Sequence, residues 1–240
     1  MQQVFDAIVI RSRNYSDSSV ILKCYSKQKG VISIIARGVK KKKKNHVMGL
    51  FQPLSMVEIV SYSKKENAEL KSLKEIKSNF FYNSLHSNPI KLGLTMFLAE
   101  MLETTLQEEE PNELLFDFLE TSFHYLDEID DYANFHISFL LELSKHLGFY
   151  PNLDDITKKY FDLEFGVFYD FEKNSPYLFH GEIIDNFKKF LGTKFVKNNE
   201  VVLNKTQRNN LLKLIMQYYS LHISNFREPK SLEVLKSLYS

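Results

Sequence analysis

The chain of 240 residues is long enough to bury the core of one large domain or of two modest ones. It is 44% hydrophobic and 25% charged, with only 8 Gly and 6 Pro, which is typical of a soluble globular protein. It has no apolar run of the ~18 residues that a membrane span needs, and its first residues include no basic leader typical of a signal peptide. The single cysteine, Cys24, excludes an internal disulfide and a cysteine zinc cluster. Together these features predict a protein of the reducing cytoplasm.

The net charge of +1 conceals an uneven distribution along the chain. Residues 1–80 hold 16 Lys/Arg against 6 Asp/Glu, a balance of +10, whereas residues 81–240 hold 15 against 24, a balance of −9. A separation of this size predicts two domains with different partners. The basic domain is the candidate for binding a polyanion, and the acidic domain is expected to carry protein contacts and little affinity for that polyanion.

Five consecutive lysines, Lys40 to Lys44, form a lysine block within the basic part. Like charges repel one another and gain nothing by burial, so the block is expected to be solvated. One interpretation is a solubilising loop or a localisation tag, and the other is an electrostatic contact for nucleic acid.

The first 80 residues have the pattern of short strands separated by polar turns. Four segments rich in β-branched residues predict strands at Val4–Ser12, Val20–Ser26, Val31–Arg37 and Leu54–Tyr62. A fifth segment, "ELKSLKEIKS", could be a helical turn or a bulged strand, and the surrounding pattern favours a strand that closes the sheet. Five short strands with one long loop after the third predict a small barrel of the oligonucleotide-binding type, although an SH3-like barrel gives a similar pattern.

From about residue 80 the hydrophobic period becomes helical. Asn88 and Pro89 are the candidate N-cap and first residue of one helix, Pro111 begins a second helical pattern, and Gly148 ends a third. Residues 152–181 are irregular and extended, and three further helical segments follow them. The predicted fold is therefore α+β and multidomain, with an oligonucleotide-binding barrel over residues 1–80 and a helical domain over residues 81–240 that contains the short extended insert.

Reactive side chains show no pattern that indicates catalysis. The seven histidines have no metal-ligand spacing such as HExxH, and neither a P-loop nor GxGxxG is present. Cys24 lies inside a predicted strand, where a small buried hydrophobic residue is more typical than a nucleophile. We therefore predict a binding protein with no catalytic residues, no metal and no cofactor.

Nucleic acid is the predicted ligand of the basic part. The candidate contacts are Arg11, Arg13, Lys23 and Arg37, which lie in or beside strands, and the lysine block, Lys40, Lys41, Lys42, Lys43 and Lys44. Each phosphate that a Lys or Arg neutralises releases counterions, which gives affinity without sequence specificity. Barrels of this type also stack bases on aromatic side chains. Tyr15, Tyr25, Phe51 and Tyr62 are available for this, although so small a barrel also needs aromatic residues in its core.

Several segments, taken in order, resemble the bacterial DNA-repair and recombination mediator family RecO. They cover about two thirds of the chain: "RSRNYSDSSVIL", "GVISIIARGVKK", "GLFQPL", "FLAEMLETTLQEEEPNELLFDFLE" and "LLELSKHLGFYPNLD". The resemblance implies an oligonucleotide-binding barrel followed by a helical domain, with the lysine block in the loop between the third and fourth strands. It also implies a non-enzymatic, cytoplasmic and nucleoid-associated protein that binds single- and double-stranded DNA and anneals complementary strands. Its implied partners are RecR and the single-stranded-DNA-binding protein, and its implied role is to help RecA load onto coated single strands.

The chain departs from the family pattern at one place. Many members carry four cysteines of a zinc module just after a segment like "LGFYP", and the corresponding stretch here, "NLDDITKKYFDLEFGVFYDF", contains none. We therefore expect no structural zinc, although "YFDLEFGVF" still resembles the extended part of the module.

Two other functions fit the sequence less well. The first is a nucleic-acid-binding regulatory or RNA-associated barrel with a helical dimerisation domain, which would not anneal protein-coated complementary strands. The second is a hydrolase within the acidic part, which would consume a substrate in the presence of a divalent metal.

Overall fold

The computed structural model describes residues 1–39, 45–63, 68–106, 110–192 and 200–238. They fall into two compact units. Unit 1 comprises Met1–Glu128 with Pro229–Ser231, and unit 2 comprises Ile129–Glu228 with Leu232–Ser240. Residues 81–128 therefore share a compact unit with the residues predicted to form the barrel. Within the described part of the chain, no helix has both the length and the apolar character to cross a membrane.

The N-terminal strands of unit 1 form a closed barrel. They are β1 (Gln2–Asn14), β2 (Val20–Ser26), β3 (Gly30–Ala36), β4 (Met56–Tyr62) and β5 (Leu70–Ser78), arranged in the order β1-β2-β3-β5-β4. The β3–β5 pair is parallel and the other pairs are antiparallel. The predicted five-stranded barrel is confirmed, and the ambiguous fifth segment is the strand that closes it.

Apolar side chains on alternate strand positions fill the barrel. Val9, Leu22, Cys24, Ile34 and Ile59 are buried in one core cluster, as expected where successive side chains point to opposite faces of a strand.

One helical turn lies between the third and fourth strands, in a segment for which only strands and turns were predicted. It is α1 (Asn45–Met48), followed by a 3-10 turn at Gly49–Phe51. The ring of Phe51 is buried in the barrel core, and the partly buried Val47, Met48 and Leu50 pack against the same core. These apolar residues lie three and four positions apart, which is the spacing that places side chains on one face of a helix.

Two helices complete the longer segment of unit 1. They are α2 (Pro89–Thr105) and α3 (Glu113–Glu128). The Asn88 side chain accepts hydrogen bonds from the backbone of Ile90 and Lys91, so the predicted cap at the start of α2 is confirmed. The second helix begins two residues beyond Pro111.

The end of α3 is tied to the segment that follows the barrel. The Asp127 carboxylate accepts backbone N–H bonds from Asn83, Ser84 and Leu85, each at 2.8 Å. Burial acts to raise the pKa of Asp127, but the backbone donors outweigh it and the pKa is lowered. The carboxylate therefore holds residues 83–85 against the helix.

Unit 2 contains the remaining helices and a small sheet. The helices are α4 (Phe135–His146), α5 (Glu182–Lys188), α6 (Lys205–His222) and α7 (Leu232–Leu238). The strands β6 (Tyr160–Asp162), β7 (Val167–Tyr169) and β8 (Leu178–His180) form an antiparallel sheet in the order β7-β6-β8.

An aromatic cluster anchors this sheet. The ring of Phe161 lies 4.6 Å from that of Phe168, 5.1 Å from that of Phe187 on α5 and 6.0 Å from that of Tyr218 on α6. The sheet falls within the predicted extended insert, residues 152–181. Aromatic packing holds the sheet here.

Candidate nucleic-acid interface

Arg11 and Lys23 lie side by side on the outside of the barrel. Arg11 is opposite Lys23 in the β1–β2 pair, and Lys23 is opposite Ser33 in the β2–β3 pair. Residues directly opposite one another point to the same face of a sheet. Because Lys23 alternates with the buried Leu22 and Cys24, this row faces outward. The fold therefore places side by side two of the cations predicted to contact nucleic acid.

A β-bulge makes the outward position of Arg11 and Arg13 possible. The β1–β2 register shifts between Val9 and Arg11, so that Val9 is opposite the buried Cys24 while Arg11 is opposite the outward Lys23. Without the extra residue, strict alternation from the buried Val9 would direct both arginines into the core. The bulge turns them to the surface instead.

Both arginines contact the same carboxylate on α2. Arg11 Nη1 donates to both carboxylate oxygens of Glu103, at 2.8 and 2.7 Å, and Arg13 Nη2 donates to Oε1 at 3.1 Å. The side chains of Arg11 and Arg13 are 45% and 61% exposed, and that of Glu103 is 24% exposed. The guanidinium groups are thus neutralised in part but stay open to solvent.

Lys23 contacts the backbone at the end of the same helix. Its Nζ donates to the carbonyl oxygen of Glu103 at 3.0 Å and, more weakly, to that of Leu106 at 3.5 Å. Carbonyl groups at a helix C-terminus lack intrahelical partners and attract cations. Burial lowers the pKa of Lys23, the nearby Arg13 and Arg11 lower it further, and Glu103 opposes the shift. Three cations therefore contact Glu103, two at its carboxylate and one at its backbone oxygen, and its single negative charge leaves two positive charges in excess.

Arg37, the other predicted cation that the structure describes, contacts a different strand of the barrel. Arg37 follows β3 and is exposed, and its Nη1 donates to Ser72 Oγ at 2.7 Å. The lysine block lies outside the described residues, so its contacts stay a prediction.

A cavity continues the outer surface of the barrel beyond Ser33. The strand β5 pairs with β3 only at Ser33–Ile35, so the first half of β3 has no β5 partner. The cavity of about 230 Å³ opens there, and it is lined by Lys29, Val31, Ile32, Ser33, Ala68, Glu69 and Lys71. Oligonucleotide-binding barrels usually take their ligand over strands 2 and 3 and the loop between strands 4 and 5. Of these elements, the cavity is lined by residues of β3 and by Ala68 and Glu69, which immediately precede β5.

The candidate stacking residues divide between core and surface. Phe51 and Tyr25 are buried, and the Tyr25 ring stacks on that of Phe116 with the centroids 6.4 Å apart. Tyr15 and Tyr62 are exposed and therefore open to a base.

The described residues contain no recognisable reaction centre. Cys24 is fully buried, and burial raises the pKa of its thiol to about 12, which makes the thiol a poor nucleophile. Among the residues described, no three His, Cys, Asp or Glu side chains stand close enough to hold a metal ion. The absence of zinc and of catalysis nevertheless stays a prediction.

The acidic neighbours of the barrel were not predicted from the sequence. Besides Glu103, Asp117 on α3 pairs with a cation of the barrel. Its Oδ1 lies 2.8 Å from Lys27 Nζ. Residues 81–128 hold one Lys against ten Asp/Glu, a balance of −9, whereas residues 129–240 hold 14 Lys/Arg and 14 Asp/Glu. The excess negative charge thus lies entirely within the segment that shares unit 1 with the barrel. Counting charge in shorter segments would have revealed this.

Comparisons with known proteins agree with this architecture. The family model described as "Recombination protein O N terminal" matches residues 1–80, and "Recombination protein O C terminal" matches residues 86–233. The DNA repair protein RecO of Christiangramia forsetii is 42% identical, with 97% of each chain covered. The proteins of the same name from Flavobacterium psychrophilum and Phocaeicola vulgatus are 39% and 34% identical, with full coverage of both chains. The chain belongs to the RecO family of DNA repair proteins.

Proposed function

We propose that this chain is a non-enzymatic recombination mediator that binds single- and double-stranded DNA and anneals complementary strands. Acting with RecR in the cytoplasm, at the nucleoid, it helps RecA load onto single strands coated by the single-stranded-DNA-binding protein. Membership of the RecO family supports this role. The observation that carries the proposal is the cluster of Arg11, Arg13 and Lys23, which keeps two excess positive charges on the outside of a barrel of the oligonucleotide-binding type.

Phosphate contacts of this kind suit annealing. Cations that bind the backbone reduce the repulsion between two strands and leave the base edges free to pair. The cluster offers guanidinium groups, whose planar fork fits a phosphate. We assign the contacts with RecR and with the single-stranded-DNA-binding protein to the helical part of the chain.

The experiment that tests the proposal is an annealing assay with two complementary labelled oligonucleotides, run bare and after coating with single-stranded-DNA-binding protein. We expect the chain to accelerate duplex formation in both cases. A nucleic-acid-binding regulator would bind the bare strands but would not anneal the coated ones. Failure on coated strands would therefore remove the mediator function while leaving DNA binding in place.

We also propose that the lysine block supplies phosphate contacts and does not read bases. Lysine is a flexible point charge without a planar fork, and we expect two or three of the five to touch DNA at once. Replacing Lys40 to Lys44 with Gln should weaken binding to every DNA sequence by a similar factor. The slope of log affinity against log salt should fall in magnitude by ~0.7 for each phosphate of the single strand that the variant no longer neutralises.

Stability should hardly change in the five-Gln variant, since surface substitutions usually stay within ~0.5 kcal/mol. An unchanged salt slope together with wild-type affinity would show that the block is only a solubilising loop.

A further inference from the structure

Glu103 occupies the position that an anionic ligand of the arginine pair would take. Its two carboxylate oxygens receive three guanidinium hydrogen bonds of 2.7 to 3.1 Å from Arg11 and Arg13. A guanidinium fork binds a carboxylate and a phosphate in the same bidentate manner. The chain therefore holds its own anion on two guanidinium groups of the candidate DNA surface.

We propose that a backbone phosphate of DNA displaces the Glu103 carboxylate from Arg11 and Arg13, so that Glu103 sets the affinity and the salt dependence of DNA binding. This inference rests on the proposed function and concerns the regulation of the same surface. Glu103 acts as an internal competitor, and the two arginines become available for phosphate only when its side chain turns away.

The geometry makes this exchange feasible. The side chains of Arg11 and Arg13 are 45% and 61% exposed. Ion pairs of such exposed side chains contribute little to the free energy of folding, so little is lost when they break. Glu103 has a flexible side chain and lies in the last turn of α2. The helix end stays attached when the carboxylate leaves, because Lys23 binds the backbone oxygen of Glu103 and not its side chain.

The negative charge of the helical segment around Glu103 also opposes the binding of DNA to the barrel. Residues 81–128 carry a net charge of −9, whereas residues 1–80 carry +10. Lys27 of the barrel forms an ion pair with Asp117 of this segment, as Arg11 and Arg13 do with Glu103. The acidic helices therefore screen the barrel against weakly bound polyanions, and a polyphosphate strand overcomes the screening by binding at several points at once.

The test is Glu103→Gln in the full-length chain, titrated with single-stranded DNA over a salt series. Gln keeps the size and hydrogen-bonding capacity of the side chain but removes the charge. We expect affinity to rise severalfold and the magnitude of the salt slope to increase by ~0.7 for each additional phosphate that the released arginines neutralise. The double variant Arg11→Gln with Glu103→Gln should lose this gain, because the released guanidinium is then absent.

The matched control is Glu113→Gln, which removes an exposed carboxylate from the same acidic segment at the start of α3. It should raise affinity far less than Glu103→Gln and leave the slope unchanged. Thermal unfolding checks that each variant is folded, and Glu103→Ala serves as a second variant if Gln disturbs the fold.

The outcomes separate the two proposals. If the wild-type chain binds DNA and Glu103→Gln matches it in affinity and slope, or gains no more than Glu113→Gln, the competitor role is overturned while the proposed function stands. If the wild-type chain fails to bind DNA at all, both are overturned.

Discussion

The burial of His136 makes the stability of the fold depend on pH. It is fully buried in α4, and burial, reinforced by the positive charge of Arg208, lowers its pKa to about 3. In the unfolded chain its pKa lies near 6.5. Between these values the unfolded state binds the proton and the folded state does not, so the free energy of unfolding falls as the pH drops below about 6.5.

We predict that His136 alone removes about 1 kcal/mol of stability for each pH unit between pH 6 and pH 4. Urea unfolding at several pH values, compared between the wild-type chain and His136→Gln, isolates this contribution, because the variant cannot titrate there. The stability of the variant should depend less steeply on pH over this range. Parallel curves for the two proteins would mean that His136 binds its proton equally well in the folded and unfolded states, so that burial does not lower its pKa.

At the scale of the element, the turn between β6 and β7 depends on one glycine. Gly166 has φ of +65°, and an added Cβ would lie 2.7 Å from Tyr218 Oη. That hydroxyl donates to the Phe149 carbonyl at 2.6 Å, and the Tyr218 ring is packed in the aromatic cluster. Gly148, in the same unit, has φ of +85° but nothing within 4 Å of its Cβ position.

We predict that Gly166→Ala costs about 1–3 kcal/mol more than Gly148→Ala, because both variants strain the backbone but only the first overlaps a buried side chain. Chemical denaturation of the two variants measures the difference. Tyr218→Phe should recover part of the loss in the Gly166→Ala background, since it removes the overlapping oxygen. Equal destabilisation by the two alanines would show that the Tyr218 ring moves away freely.

The elements that the sequence predicted well are those governed by local rules. The cap at Asn88 and the end of the helix near Gly148 depend on residues within a few positions of each other. The strands of the barrel likewise followed from short runs rich in β-branched residues that polar turns separate. The turn α1 and the 3-10 turn after it were missed because their apolar residues, Val47 to Phe51, form a helical face over only five positions.

The arrangement of the candidate interface could not be predicted in the same way. Arg11 was selected as a surface cation, but its outward direction depends on a bulge that strand alternation alone does not reveal. Lys23 binds backbone carbonyls 80 or more residues away, and backbone groups leave no mark in a sequence. Nothing in the sequence distinguishes Glu103 from the other acidic residues of its segment, because its arginine partners lie about 90 positions away.

At the scale of the whole molecule, the barrel and the acidic segment form one electrostatic unit. Residues 1–128 hold 17 Lys/Arg against 16 Asp/Glu, although residues 1–80 alone carry a balance of +10. The helices also cover the buried ring of Tyr25, which stacks on Phe116. The predicted domain boundary at residue 80 therefore separates residues that neutralise one another and share packing.

We predict that a fragment of residues 1–128 is more stable than a fragment of residues 1–80 but binds DNA less tightly. The longer fragment keeps the Tyr25 packing and the ion pairs to Glu103 and Asp117, while the shorter one exposes an apolar ring and releases its cations. Thermal unfolding and DNA titrations over a salt series compare the two fragments, and the shorter should show the steeper salt slope. If the fragment of residues 1–80 were as stable as that of residues 1–128, the acidic helices would not stabilise the barrel. If it bound DNA no more tightly, they would not compete with DNA for its cations.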